Sequence, residues 1–162
     1  MSYLLTTEYL TSYAERFLIS NFEVELSIPI ERNNRLRSTL GRYVMSSSGM
    51  PLRIELSGTL LNYGTKEVIL GVLKHECIHY AFHLQGKNMR DGDPIFEATL
   101  EKFHAPSTRT LKVGKFYVFE CRKCKRQAET RLKRLVSKPH EYRSLCCRSK
   151  IEVIDERIYR GI

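Results

Sequence analysis

Thr65-Lys66-Glu67-Val68-Ile69-Leu70-Gly71-Val72-Leu73-Lys74-His75-Glu76-Cys77-Ile78-His79-Tyr80-Ala81-Phe82-His83-Leu84 is the most strongly helical run of this 162-residue chain. Thr65 offers a cap and Gly86 follows the end. Between them, apolar side chains leave so little of the circumference polar that the run predicts a buried central helix. Inside it, His75-Glu76-x-x-His79 sets two imidazoles four residues apart, about 40° from one another around a helix of 3.6 residues per turn. Both can meet one metal ion, with Glu76 beside it as a general base. Burying two imidazoles in an apolar helix without a partner is costly, and zinc is the partner the spacing calls for. Cys77 points to a different face and reads as core, as does Tyr80.

Outward from that helix the chain reads as α+β. Leu5, Tyr9, Tyr13 and Phe17 recur every four residues within 5–20, an amphipathic helix capped by Thr6 or Thr7. Val24–Ile28, Gly41–Met45 and Pro51–Leu56 read as three short strands of a small antiparallel sheet. After the long helix, 87–92 is a polar loop, and a second helix is expected from Pro94 to Phe103 with Asp93 as its cap.

The composition, 42% hydrophobic and 28% charged with 9 Gly and 5 Pro, excludes a disordered or fibrous chain. No apolar run approaches the roughly 20 residues that span a bilayer, and the first residues carry no basic stretch before an apolar one. The expectation is a soluble, cytoplasmic protein with no membrane partner. Five cysteines, an odd number clustered late, fit metal ligation in a reducing compartment better than disulfides.

Charge divides the chain. Residues 1–104 carry 11 Lys/Arg and 12 Asp/Glu, whereas 105–162 carry 16 against 6. Together with Ala105-Pro106-Ser107-Thr108, this suggests a core over 1–104 and a basic module over 105–162. In the module, Cys121-x-x-Cys124 faces Cys146-Cys147 across a predicted hairpin, with Phe116–Glu120 and Ile151–Ile154 as strands, the arrangement of a zinc ribbon. Arg122, Lys123, Lys125, Arg126, Arg131, Lys133, Arg134 and Arg143 interleave there with Phe116, Tyr117 and Tyr142. Such a surface suits a nucleic-acid partner, single-stranded DNA in particular, and equally a solvated basic face.

Ile54–Ser57, Leu73–Tyr80 and Asp91–Glu97, followed by the Cys-x-x-Cys turn, resemble the SprT-like family of zinc metalloproteases, in this order and over most of the chain. The resemblance implies a minimal gluzincin-like core, a helix carrying the two histidines packed on a small sheet. It also implies hydrolysis of a protein or peptide substrate by zinc, with Glu76 catalytic. The family's eukaryotic relatives are DNA-dependent proteases, so DNA-associated proteins are the implied substrates.

The chain departs from the family at two places. The family's third ligand is usually a histidine just before the next helix, where this chain reads Met89-Arg90-Asp91-Gly92-Asp93-Pro94. Aligning the Asp-Gly pair puts Asp93 at that position, with Asp91 and Glu97 as alternatives and His83 and His104 behind them. The competing reading is that Asp93 only caps the helix. The family also places a cysteine at Ser144, so a second, structural zinc requires the adjacent Cys146 and Cys147, or His140. Both departures favour an alternative function: a zinc-containing nucleic-acid-binding or regulatory protein without protease activity.

Overall fold

The computed structural model describes residues 5–108 and 110–161. Helix α1 spans Thr7–Phe22, begun by Thr6 Oγ1, which accepts the Tyr9 N–H at 3.1 Å, and it buries Leu10, Ala14, Phe17 and Leu18. Strands β1 (Ile30–Asn33), β2 (Gly41–Met45) and β3 (Pro51–Ser57) form the first sheet, followed by helix α2 (Gly58–Tyr63). The long helix α3 spans Lys66–Leu84, capped by Thr65 as the sequence predicts, and α4 spans Pro94–Lys102.

Two expectations for the sheet need correction. Val24–Ile28 is not a strand: its apolar residues do alternate inward, with Val24 and Ile28 buried, but its backbone is tied elsewhere. The fully buried Tyr80 hydroxyl donates to the Glu25 carbonyl at 2.9 Å and accepts the Ser27 N–H at 3.2 Å. A side chain of α3 thus takes the bonds a neighbouring strand would have supplied, and pairing starts only at Ile30. The sheet is also mixed. In the order β1-β3-β2, β1 runs parallel to β3 with Ile30 opposite Ile54, while β2 runs antiparallel to it with Tyr43 opposite Ile54.

Helix α3 covers this sheet. Ile54 and Leu56 of β3 and Val72, Leu73 and Ile78 of α3 are fully buried, at roughly 1.5–3 kcal/mol for each large apolar side chain removed from water. The approach of β2 to α3 depends on Gly41, where a Cβ would lie 2.9 Å from Val72 Cγ1 and 3.2 Å from Glu76 Cγ. On β3, the buried Glu55 carboxylate accepts hydrogen bonds from Arg42, Arg53 and Asn33.

The chain divides into two compact units, one running to Lys112 and including Arg160, the other Val113–Tyr159. The division therefore falls beyond the 104/105 boundary expected from composition. Ala105 is buried and Pro106 packs on α3, so this segment completes the first unit instead of linking it to the next. The second unit holds β4 (Val113–Cys121), β5 (Gln127–Thr130), the short helix α5 (Lys133–Ser137) and all but the last residue of β6 (Ile151–Arg160), with strand order β5-β4-β6. β5, which the sequence reading did not anticipate, pairs antiparallel with β4, Tyr117 opposite Thr130. Among the described residues no helix is long and apolar enough to cross a membrane.

Candidate metal centre

The apolar pattern that makes α3 a helix also fixes its histidines on one face. His75 Nε2 lies 3.1 Å from His79 Nε2, and Asp91 Oδ1 lies 3.1 Å from the first and 3.5 Å from the second. The opposite ring nitrogens are both engaged: His75 Nδ1 with the Pro106 carbonyl at 2.8 Å, His79 Nδ1 with the Met89 carbonyl at 2.7 Å. A carbonyl only accepts, so each imidazole donates from Nδ1, and both Nε2 lone pairs face the Asp91 oxygen. Burial first, then His75, hold the His79 imidazole below its ordinary 6.5, so a proton is a poor bridge there. Three convergent acceptors without a donor among them fit a cation, and two nitrogens with one carboxylate oxygen are a zinc-type donor set. Phe96 of α4 stacks on His79, with ring centroids 4.4 Å apart, and meets His75 edge-on at 5.7 Å.

Asp91, and not Asp93, is the acid brought to the imidazoles. Asp93 Oδ1 accepts the N–H groups of Ile95 and Phe96 at 3.0 and 3.2 Å, capping α4, and its Oδ2 accepts from Asn88 Nδ2 at 2.9 Å. Its carboxylate is turned to the helix end, as a capping acid should be. Glu97 is also engaged elsewhere, accepting the Gly92 N–H at 2.7 Å. Asp93 and Glu97 thereby brace the loop that carries Asp91. His83 meets the Tyr43 hydroxyl at 2.7 Å, and His104 is exposed beyond α4 in a left-handed conformation. Neither belongs to the cluster.

Glu76 is 3% exposed and opens on the same cleft, a volume of about 410 Å³ lined by Gly41, Arg42, Tyr43, His75, His79 and Asp91 among others. Burial, reinforced by the Asp91 charge, pushes its carboxyl up to about 8, against a hydrogen bond from the Tyr43 backbone. Burial followed by Tyr80 raises the Tyr43 phenol to about 12. The Met89 and Pro106 carbonyls escaped the sequence reading because every residue carries one.

In the second unit Cys121, Cys124, Cys146 and Cys147 bring their sulfurs within 4.8 Å of one another, Cys124 and Cys146 being 3.4 Å apart. The adjacent pair reaches the cluster because residues 144–149 turn tightly: the Ser144 N–H donates to the Ser149 carbonyl at 2.9 Å, and the Ser149 N–H donates to Ser144 Oγ at 3.1 Å. Ser144 is buried. The Cys124 backbone N–H, then the Ser144 hydroxyl, lower the Cys121 thiol to about 6. The position where a cysteine was expected thus stabilises a neighbouring thiolate. His140 is exposed, in a short turn outside this cluster.

The basic residues singled out in this unit are exposed but differ in engagement. Arg134 pairs with Glu141 at 2.8 Å, Lys125 with Glu120 at 3.5 Å and Arg122 with Glu152 at 3.9 Å, while Arg131 lies over the Phe116 ring at 5.7 Å. Arg143 donates to the His140 and Tyr142 carbonyls. Arg126 and Arg143 border a cavity of about 380 Å³ with Phe119, Ala128 and Leu145, the last 88% exposed. Lys123 and Lys133 lie on the same unit's surface.

The SprT-like family model matches residues 7–114. Proteins named "Protein SprT-like" from Bacillus velezensis and Bacillus subtilis are 35% and 34% identical to this chain over 127 residues, which is 75% of the chain and 80% of each relative. One from Lysinibacillus sphaericus is 33% identical over 133 residues, covering 75% of the chain and 81% of that protein. With its histidine-bearing helix, its sheet and the following loop all inside the matched span, the chain belongs to the SprT-like family.

Proposed function

We propose that this chain is a zinc metallopeptidase with a minimal gluzincin-like core, in which His75, His79 and Asp91 hold the metal and Glu76 is the general base. The observation that carries the reading is the convergence of two Nε2 lone pairs and a carboxylate oxygen, each imidazole already fixed through Nδ1 by a backbone carbonyl. Zinc bound there supplies a Lewis acid for water and for the scissile carbonyl. Glu76 takes the proton from the attacking water and returns it to the leaving amine nitrogen, its buried carboxylate opening on the same cleft as the two imidazoles. β2 is an edge strand, and Gly41, Arg42 and Tyr43 line the cleft, so an extended substrate can pair along it with its scissile bond at the metal. A carboxylate in place of a third imidazole lowers the net charge of the centre and slows hydrolysis.

The second unit is proposed to hold a structural zinc on its four cysteines and to bind single-stranded DNA. The apolar cavity flanked by Arg126 and Arg143 supports this, since it offers a base a stacking surface and its phosphates two guanidinium groups. Proteins on DNA would then be the substrates. Five free cysteines suit the cytoplasm.

Elemental analysis tests the core of the proposal. The parent should carry two zincs per chain and the His75→Ala/His79→Ala variant one. Glu76→Gln should keep both zincs and cleave an unstructured protein about 10²–10⁴-fold more slowly. A parent with a single zinc that the double substitution does not remove overturns it and leaves a nucleic-acid-binding protein without protease activity; full turnover by Glu76→Gln overturns the role of Glu76.

A further inference from the structure

Gly71 stands in the middle of the longest helix of the chain, where glycine is a poor helix former and alanine the best. The position is buried, and a Cβ there would lie 2.8 Å from Pro106 Cδ, closer than real side chains approach. Pro106 is the residue whose carbonyl receives the Nδ1–H of His75, one turn further along the same helix. The segment holding Pro106 has little freedom to retreat. The Ala105 N–H donates to the Leu100 carbonyl at 2.9 Å, the Lys74 ammonium donates to the Phe103 carbonyl, and Ala105 is buried. Proline adds its own stiffness, since the ring locks φ and a push on Cδ is passed to the residue's backbone.

We infer that Gly71 and Pro106 form a positioning pair for His75: the missing side chain at 71 lets the Pro106 ring lie against α3, so that its carbonyl fixes the Nδ1–H tautomer and aims Nε2 at the metal. This rests on the proposed zinc reading and deepens it. Outer carbonyl partners of ligating histidines typically carry 10–100-fold in metal affinity, which sets the size of the effect.

The test uses the full chain and cobalt as a spectroscopic probe. The four-thiolate cluster and the nitrogen–oxygen centre are read separately, the first through intense sulfur-to-metal absorption in the near ultraviolet, the second through weak visible bands. Gly71→Ala should weaken cobalt and zinc binding at the nitrogen–oxygen centre about 10–100-fold and shift its visible bands, with the thiolate signal unchanged. Adding Pro106→Ala, which keeps the carbonyl and removes the ring, should restore affinity to within about threefold of the parent. If Gly71→Ala does not fold, the double variant must fold and bind. Parental affinity in Gly71→Ala, or a double variant that does not recover, overturns the inference. A parent with no metal dependent on His75 and His79 overturns the zinc reading instead.

Discussion

The histidine cluster and the cysteine cluster solve the same problem with opposite means. His75 and His79 come from one helix in the core of the first unit, are 3% and 15% exposed at their side chains, and are oriented by carbonyls from two other segments. The thiols of the second unit come from two turns, one between β4 and β5 and one just before β6, and Cys124 and Cys146 are exposed. In the first unit packing makes the site, the aromatic and aliphatic core around α3 holding both imidazoles in place. In the second unit the apolar content is thin, with Val113, Val118, Leu135 and Ile151 among the few buried side chains, so on the proposed reading the zinc of the cysteine cluster supports the fold.

The sharpest break of this comparison is removal of ligands from each side. Cys124→Ser/Cys146→Ser should destabilise the second unit by several kcal/mol, about the scale on which structural zinc supports small domains, and amide exchange over Val113–Tyr159 should become fast. His75→Ala/His79→Ala should leave exchange in α1 and the first sheet protected. Equal loss of protection in both units would show that the two sites do not differ in this way.

Next in size is the third ligand. Asp91→Ala should weaken zinc binding at the histidine centre about 100-fold or more, beyond what outer partners contribute. A change much smaller than that would move the third ligand elsewhere in the loop.

The first unit should also show its own acid limit. Burial alone would raise the Glu55 carboxyl, but hydrogen bonds from Arg42, Arg53 and Asn33 overcome it and hold the group near 2, below its ordinary 4.5. A carboxyl lowered by folding stabilises the fold above its unfolded value, and that stability is lost as pH falls from about 4.5 towards 2. Urea midpoints between pH 6 and 3 should therefore fall for the parent. Glu55→Gln should start about 1–3 kcal/mol lower and show a flatter pH dependence.

The smallest effect separates two neighbouring acids. Asp93→Ala should cost about 1 kcal/mol through loss of the α4 cap and weaken zinc only a few-fold. Should it weaken zinc more than Asp91→Ala, the assignment of the third ligand is reversed.

What the sequence could and could not reveal follows from the range of the forces. Helices α1, α3 and α4 and their caps were readable because 3.6-residue periodicity and capping chemistry are local. The pairing of His75 with His79 was readable for the same reason. Val24–Ile28 misled because alternation reports which face is buried and says nothing of what takes the backbone bonds; the taker, Tyr80, is more than fifty residues away. Asp91 and Asp93 could not be separated, since both flank the same glycine and only the loop's path decides which one caps and which one turns inward. Pro106 read as a linker because its partner, Gly71, shows its purpose only through the space it leaves. A glycine inside so strong a helical pattern was the available signal.

Asp91 has a consequence for time as well as affinity. Its side chain is 43% exposed, on a loop next to Gly92, while the histidines sit behind it. On the zinc reading Asp91 is the one ligand carried by a loop instead of a helix, so the hydrogen bonds that brace residues 88–93 bear on how fast the metal exchanges as well as on how tightly it is held. Substitutions that leave both imidazoles untouched, at Asn88 or Glu97, should therefore hasten metal exchange with chelators well before they alter how much metal the protein holds at equilibrium.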